Sequence, residues 1–188
     1  LKDVCLDLAA GEVHAFLGAN GAGKSTLIKI LSGAYTLDTG TVKVDGVAVD
    51  MSDHSPEAAF RLGIFTIYQN FHLIPHLTVA ENICLTDLST GGKRSVNWSE
   101  MRAKAEAALA AIGLDIKPGT VVNRLTVSQQ QMLEIAIAVS QNARIIIMDE
   151  PTAAISQRET EKLFDLIRDI KKRGVGIIYI SHRLEEIQ

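Results

Sequence analysis

The sequence predicts an α/β fold with a mostly parallel β-sheet and helices on both faces. Segments of strand character alternate along the chain with segments in which apolar residues have helical spacing. The run 144–148 is rich in isoleucine and apolar after its first residue, as in a strand that is covered on both sides, and 177–180 has the composition of a further strand. Between about 70 and 141 helical signals dominate, which indicates a helical subdomain inserted into the sheet.

The elements predicted before Gln69 are, in order, strand 12–17, helix 24–32, an antiparallel element at 41–46 and strand 64–68. Gly33 is placed to end the helix. Asp45-Gly46 follows an alternating segment and is a typical hairpin turn.

The elements predicted after Gln69 are helices 99–112, 128–141 and 157–173 and strands 144–148 and 177–180, with a loop over 85–96. Ser156 and Glu159 have the spacing of a capping box at the start of the last helix, and Gly174 ends it. Ser128 and Gln131 have the same spacing at the start of the second helix.

The composition disfavours several classes of protein. A net charge of −3 gives no basic footprint for nucleic acid, and we expect no nucleic-acid partner. No apolar run approaches the ~18 residues that span a bilayer, and there is no signal-peptide pattern. The two cysteines lie in no metal or redox spacing. Because the chain lacks an initiator Met and stops within a predicted helix, we expect a fragment that is cut at both ends.

A glycine-rich loop follows the first predicted strand and fits the phosphate-binding pattern GxxxxGK[ST]. Its glycines let backbone N–H groups surround a phosphate, Lys24 supplies positive charge, and Ser25 offers a hydroxyl ligand to Mg²⁺. A chance match would leave a turn and a solvated lysine, but the strand before and the helix after favour the functional interpretation. The predicted nucleotide-binding residues are Gly18, Ala19, Asn20, Gly21, Ala22, Gly23, Lys24, Ser25 and Thr26.

Two carboxylates, Asp149 and Glu150, follow the predicted strand 144–148. Ligands of open parallel sheets bind at the carboxyl ends of the strands. Asp149 could therefore organise Mg²⁺, directly or through its waters, and Glu150 could orient or deprotonate an attacking water. The alternative is an ordinary acidic turn before Pro151, which the phosphate loop in the same chain disfavours.

Gln69 and His182 also follow predicted strands. Taken alone, each is more often a surface or structural residue than a functional one. A neutral imidazole beside a phosphate could nevertheless hydrogen-bond both the phosphate and the attacking water.

Together these motifs resemble, in order and approximate spacing, the nucleotide-binding domain of ATP-binding cassette (ABC) transporters. The resemblance covers nearly the whole chain and implies a P-loop NTPase (RecA-like) fold. Residues 11–33, 129–136 and 179–186 are similar to bacterial carbohydrate importers, above all to the first cassette of the tandem ATPase subunit of monosaccharide (ribose/xylose-type) importers.

The resemblance implies a role for each motif. Gln69 would contact Mg²⁺ and the nucleophilic water, and His182 would contact the γ-phosphate. The segment 125–129 would be the signature that binds the ATP held by an opposite cassette, through Thr126, Ser128 and Gln129. The implied cofactors are ATP and Mg²⁺. The implied catalytic residues are Lys24, Gln69, Glu150 and His182, and the implied metal-site residues are Ser25, Gln69 and Asp149.

The implied assembly is peripheral to the cytoplasmic face of the bacterial inner membrane. Its partners would be a second cassette in the same full-length chain or a homodimer, membrane permease subunits and, indirectly, a periplasmic sugar-binding protein. We expect one domain over 1–188, with a catalytic core at 1–69 and 142–188 and a helical subdomain at about 70–141. The alternatives are a soluble ABC ATPase that is not linked to transport, or a degenerate partner cassette with little turnover.

Two segments depart from the family pattern. Most cassettes have Leu-Ser-Gly-Gly-Gln as the signature, whereas this chain has Ser128 in place of a glycine. We expect the Ser128 hydroxyl to cap its own helix and its bulk to hold the phosphate slightly away, which would slow the site. Ser156 replaces the acid found after the strand-end carboxylates. The resemblance places the adenine-stacking aromatic residue upstream of Leu1.

Overall fold

A computed structural model describes residues 1, 3–18, 21–90 and 97–186 of the chain. The expectations for Ala19 and Asn20, and for residues 91–96 of the predicted loop, lie outside this range. In chain order the elements are β1 (Val13–Leu17), α1 (Lys24–Leu31), β2 (Lys43–Val44), β3 (Val47–Ala48), α2 (Pro56–Arg61), β4 (Ile64–Ile67), α3 (Val79–Thr90), α4 (Trp98–Ala111), α5 (Val127–Ser140), β5 (Ile145–Asp149), α6 (Gln157–Lys172) and β6 (Gly176–Ser181).

The chain divides into two compact units. The first contains 1–69, 143–151 and 167–188, and the second contains 70–142 and 152–166. This division differs from the sequence-based boundaries in one respect, since the start of α6 belongs to the second unit and its end to the first.

The first unit contains a four-stranded sheet in the order β1-β6-β5-β4. All three neighbouring pairs are parallel, and the register places Leu17 opposite Ser181 and Asp149 opposite Ile180. Consecutive residues of β5 and β6 are buried, so both faces of the two central strands are covered. On one face Ile147, Ile178 and Ile180 pack in a cluster with Ile28 of α1. The predicted α/β class with a mostly parallel sheet is confirmed.

The predicted antiparallel element is a short hairpin of β2 and β3. Asp45 and Gly46 both have positive φ, at 51° and 77°, which is the geometry of a type I′ turn. The paired segments are two residues each, shorter than the alternation of residues 41–44 suggested.

Two local predictions need correction. Residues 85–90, expected in a loop, belong to α3. The threonine, aspartate and serine residues of this stretch have low helix propensity, but Val79 and Ile83 of the same helix are fully buried in the cluster that α3 forms with α4 and α5. Packing of that face therefore overrides local propensity. Helix α2 was not predicted, although Ser55 caps its first turn and Pro56 begins it.

The other helices begin and end close to their predicted limits. The Glu159 carboxylate accepts the backbone N–H of Ser156 at 2.9 Å and its hydroxyl at 2.7 Å, so the predicted pair does close the start of α6. In the part of the chain that the structure describes, no helix combines the length and the apolar character needed to cross a membrane.

Candidate nucleotide-binding site

The sheet topology brings four sequence motifs to one edge of the first unit. The four strands are parallel and in register, so their carboxyl ends meet at the same edge. The phosphate loop follows β1, Gln69 follows β4, Asp149 and Glu150 end β5, and His182 follows β6. Each motif is local in sequence, and the strand order makes them neighbours.

The described part of the phosphate loop leads directly into α1. Gly23 is the N-cap residue with φ of +96°, a left-handed conformation that favours glycine. Because glycine has no side chain to accept from the first-turn N–H groups, this positive helix end suits an anion. The Lys24 ammonium donates a hydrogen bond to the Gly18 carbonyl, so the lysine folds back over its own loop.

Asp149 is a half-buried carboxylate with too little positive charge around it. Burial raises the pKa of Asp149, and the neighbouring Glu150 charge raises this pKa further, while Lys24 opposes both effects. The negative charge of this carboxylate is therefore disfavoured by its surroundings. A cation bound at this edge would relieve that cost.

Glu150 and His182 are in direct contact. His182 Nδ1 lies 3.0 Å from Glu150 Oε1, and their side chains are 51% and 22% exposed. Glu150 has φ of +49°, a strained conformation for a non-glycine residue that typically costs about 1–3 kcal/mol. Its backbone N–H nevertheless donates to the Ile180 carbonyl at 3.0 Å, which ties the strained residue to β6.

Two further predicted residues of this edge are open to solvent, whereas Thr26 of α1 is half-buried. Ser25, in the first turn of α1, is exposed, and Gln69 is exposed just beyond β4. Within the described ranges, no group of three or more His, Cys, Asp and Glu side chains could hold a metal ion. The expected metal-site residues Ser25, Gln69 and Asp149 include only one carboxylate.

The signature segment lies in the second unit, and its cap differs from the prediction. Thr126 is the N-cap of α5, since its hydroxyl accepts the Gln129 N–H at 3.2 Å and the Gln129 side chain accepts the Thr126 N–H at 3.0 Å. The expectation that Ser128 caps this helix is wrong. Ser128 lies inside the first turn and is only 8% exposed. Hydrogen bonds from Ser156 lower the pKa of Glu159, and Ser128 adds a smaller effect in the same direction.

Sequence reasoning missed a buried carboxylate in α5. Glu134 is 9% exposed, and its Oε1 accepts the His72 backbone N–H at 2.6 Å. Its other oxygen is buried without a hydrogen-bond partner in the described structure. Burial raises the pKa of Glu134 to about 7, against the opposing effect of the His72 N–H. The available signal was a lone acid in the apolar run Met132, Leu133, Glu134, Ile135 and Ala136.

Comparison with known families shows which family the chain belongs to. The profile of the family described as ABC transporter matches residues 1–153. The chain belongs to the ABC transporter family.

Three curated relatives of this ABC chain are 47–48% identical to it and are matched over its whole length. They are the arabinose import ATP-binding protein AraG of Escherichia coli O6:H1, the ribose import ATP-binding protein RbsA of Geobacillus kaustophilus and the putative ribose/galactose/methyl galactoside import ATP-binding protein 1 of Burkholderia ambifaria. The chain spans only 36–38% of the length of these relatives.

Solved ABC cassettes share the fold. The ADP conformation of an ATP-binding cassette of an ABC transporter is 25% identical with a TM-score of 0.81, over 95% of this chain and 73% of that one. A dimeric cassette in a post-hydrolysis state, bound to ADP and Pi, is 27% identical with a TM-score of 0.77, over 96% of this chain and 79% of that one. The present chain therefore has the fold of an ATP-binding cassette.

Proposed function

We propose that this ABC cassette binds ATP with Mg²⁺ and hydrolyses it to power import of a monosaccharide across the bacterial inner membrane. The observation that carries the catalytic part is the contact of Glu150 with His182 at the sheet edge that also holds the phosphate loop. The import part is supported by the names of the relatives, which are arabinose, ribose and galactoside import proteins.

The phosphates would be bound by the loop between β1 and α1 together with the first residues of α1, from Gly18 to Thr26. The N-terminus of α1 would direct N–H groups at the phosphates, and Lys24 would leave its bond to the Gly18 carbonyl to meet them. Lys24 already lies at the phosphate loop, because the Gly18 carbonyl that it contacts belongs to the same loop.

The residues at this edge fit a magnesium ion. Ser25, Gln69 and Asp149 offer hydroxyl, amide and carboxylate oxygens, the ligands that Mg²⁺ prefers. The disfavoured charge of Asp149 would gain from a cation there. When bound, Mg²⁺ would offset the charge that develops on the transferred phosphate.

Glu150 would accept a hydrogen bond or a proton from the attacking water. His182 would contact Glu150 through Nδ1 and the γ-phosphate through its other ring nitrogen, Nε2. Gln69 would help to position the same water.

The site would be completed by a second cassette, either in the same full-length chain or in a homodimer. Thr126, Ser128 and Gln129 of this chain would contact the ATP bound by that partner. The assembly would lie at the cytoplasmic face of the inner membrane, bound to permease subunits, with a periplasmic sugar-binding protein delivering the sugar to them.

The test uses the full-length protein with its permease in lipid vesicles. Glu150→Gln should reduce ATP hydrolysis about 100-fold or more and abolish ATP-driven uptake of the cognate sugar from an arabinose, ribose and galactose panel, with ATP binding retained. Glu161→Gln, an exposed acid on α6, serves as the matched control. Hydrolysis by Glu150→Gln at the native rate would reject the catalytic assignment, and hydrolysis without uptake of any sugar would reject the transport assignment.

A degenerate partner cassette with little turnover is the second candidate, and the observation in its favour is Ser128. A buried serine occupies the signature position where most cassettes have glycine. Binding of ATP without hydrolysis by this cassette, measured in the full-length protein with any second cassette inactivated, would establish it.

A further inference from the structure

The turn that follows β6 carries His182 and is held by hydrogen bonds to one carboxylate. Ser181 is the last residue of β6, and a short 3₁₀ turn spans Leu184–Glu186. His182 therefore lies between the end of β6 and this 3₁₀ turn. The positions of these two segments determine where its imidazole lies.

The side chain of Glu186 is 7% exposed and faces β6. Its Oε2 atom accepts the Ser181 hydroxyl at 2.7 Å and the Tyr179 hydroxyl at 2.9 Å. Tyr179 and Ser181 alternate with Ile180, so their side chains leave the same face of the strand. Both distances lie within the normal range of O–H···O hydrogen bonds, and the bond from Ser181 is the shorter of the two.

Ser181 also binds the residue that follows His182. Its hydroxyl oxygen accepts the Arg183 backbone N–H at 2.9 Å, while the hydroxyl proton is donated to Glu186. The Arg183 guanidinium also lies 3.7 Å from Glu186 Oε1. The residues before and after His182 are thus both tied to the same carboxylate.

We propose that Glu186 is a positioning residue for His182, and that the Glu186–Ser181 hydrogen bonds hold the imidazole where it meets Glu150. This inference rests on the proposed role of His182 in ATP hydrolysis. The hydrogen bond that Glu186 accepts from Ser181, and the bond of Ser181 with the Arg183 N–H, act on the backbone on either side of His182. A carboxylate in this place would affect the rate of hydrolysis and leave nucleotide affinity unchanged.

Three variants of the full-length protein test the role of the carboxylate. Glu186→Leu removes both acceptor oxygens and keeps the volume, and it should lower kcat about 10- to 100-fold with KM for ATP within about threefold, because a small misplacement of a catalytic group is costly. Glu186→Gln can place its amide oxygen at the position of Oε2 and should restore kcat to within about threefold of the native value. Glu185→Leu, the same change at the exposed neighbouring acid, should have no effect.

Two further measurements separate positioning from general stabilisation. In a His182→Ala background, Glu186→Leu should cause no additional loss of kcat, since both changes act on one group. The ¹⁵N chemical shifts of the His182 ring, which report its hydrogen bond to Glu150, should change in Glu186→Leu but not in Glu185→Leu. If Glu186→Leu does not fold, Ser181→Ala removes the hydrogen bond between Ser181 and Glu186 instead. This variant should lower kcat about fivefold.

A native kcat in a folded Glu186→Leu protein, or an equal further loss in the His182→Ala background, would overturn the inference. Absence of Glu150-dependent hydrolysis in the native protein would instead reject the proposed function. The two failures are therefore distinguishable.

Discussion

His182 Nδ1 lies 3.0 Å from Glu150 Oε1, although the two residues are separated by 32 positions in the sequence. Parallel pairing of β5 with β6 aligns Asp149 with Ile180, so the next residues of each strand emerge at the same edge. The positive φ of Glu150 turns the chain there while its N–H stays bonded to β6. This contact depends on both the strand register and one strained residue.

Removal of the imidazole should slow hydrolysis without weakening nucleotide binding. We expect His182→Ala in the full-length protein to lower kcat about 100-fold or more, as for other positioned acid–base groups, with the Kd for ATP within about threefold. Single-turnover hydrolysis and equilibrium binding measure the two quantities. His76→Ala, at an exposed histidine of the second unit, is the control, and an equal rate loss in that protein would contradict a specific role.

Loss of the Asp149 charge should remove the magnesium dependence of ATP binding. The native protein should bind ATP about 10-fold more tightly with Mg²⁺ than in EDTA, whereas Asp149→Asn should bind equally under both conditions. Burial and Glu150 raise the pKa of Asp149, so the folded state disfavours this charge and the variant should keep its thermal stability at pH 8. Calorimetric titration checks the affinities, with Asp115→Asn, an exposed acid, as control. A magnesium effect of native size in Asp149→Asn would refute the assignment.

Glu134 should make the stability of the chain depend on pH. Its pKa is raised from 4.5 in the unfolded chain to about 7 in the folded one, so between these values the folded state holds a proton that the unfolded state releases. Below pH 4.5 Glu134 is protonated in both states, so its full contribution to the free energy of unfolding is present there. As the pH rises from 4.5 through about 7, the free energy of unfolding decreases and this contribution is lost. The loss should be on the order of 3 kcal/mol, since each pKa unit corresponds to about 1.4 kcal/mol.

Glu134→Gln separates this effect from other titrations, since the amide imitates the protonated acid and still accepts the His72 N–H. Compared with the native protein, the variant should be equally stable near pH 4.5 and more stable at pH 8, as measured by urea unfolding. Glu106→Gln, at an exposed acid of α4, should give a curve parallel to the native one. A stability difference for Glu134→Gln that does not vary with pH would be inconsistent with a raised pKa.

Ser128 offers a test of the irregular signature. Ser128→Gly should raise ATP hydrolysis by the full-length protein about twofold or more if the side chain holds the partner's phosphate away, at a stability cost of about 0.5–1 kcal/mol for glycine inside a helix. Ser128→Ala removes the hydroxyl but keeps the Cβ atom, so it should leave the rate unchanged. An unchanged or lower rate in Ser128→Gly would reject the idea. Steady-state ATPase measurements on the native protein and the two variants show whether the bulk or the hydroxyl of the Ser128 side chain affects the rate.

The error at α5 shows where local patterns become ambiguous. Thr126 with Gln129 and Ser128 with Gln131 both fit the capping-box spacing, so the pattern alone allows two helix starts. The structure uses the first start, which leaves Ser128 buried inside the first turn of the helix. The spacing alone could not choose between these two locally equivalent caps. The error at α3 has a related cause, because burial of Val79 and Ile83 outweighs the low propensity of the residues that follow.

Local patterns in the sequence were enough to predict the glycine-rich loop, the strand-end carboxylates, most element boundaries and the order of motifs that indicates an ABC cassette. Each of these depends on residues within a few positions of one another, where spacing and propensity act directly. The tertiary structure alone decided that Glu150 meets His182, that Glu134 is buried against the His72 backbone 62 positions away, and that Glu186 ties down the turn that carries His182. The physical reason is that these contacts follow from strand order, register and burial, which arise from packing among segments distant in the chain.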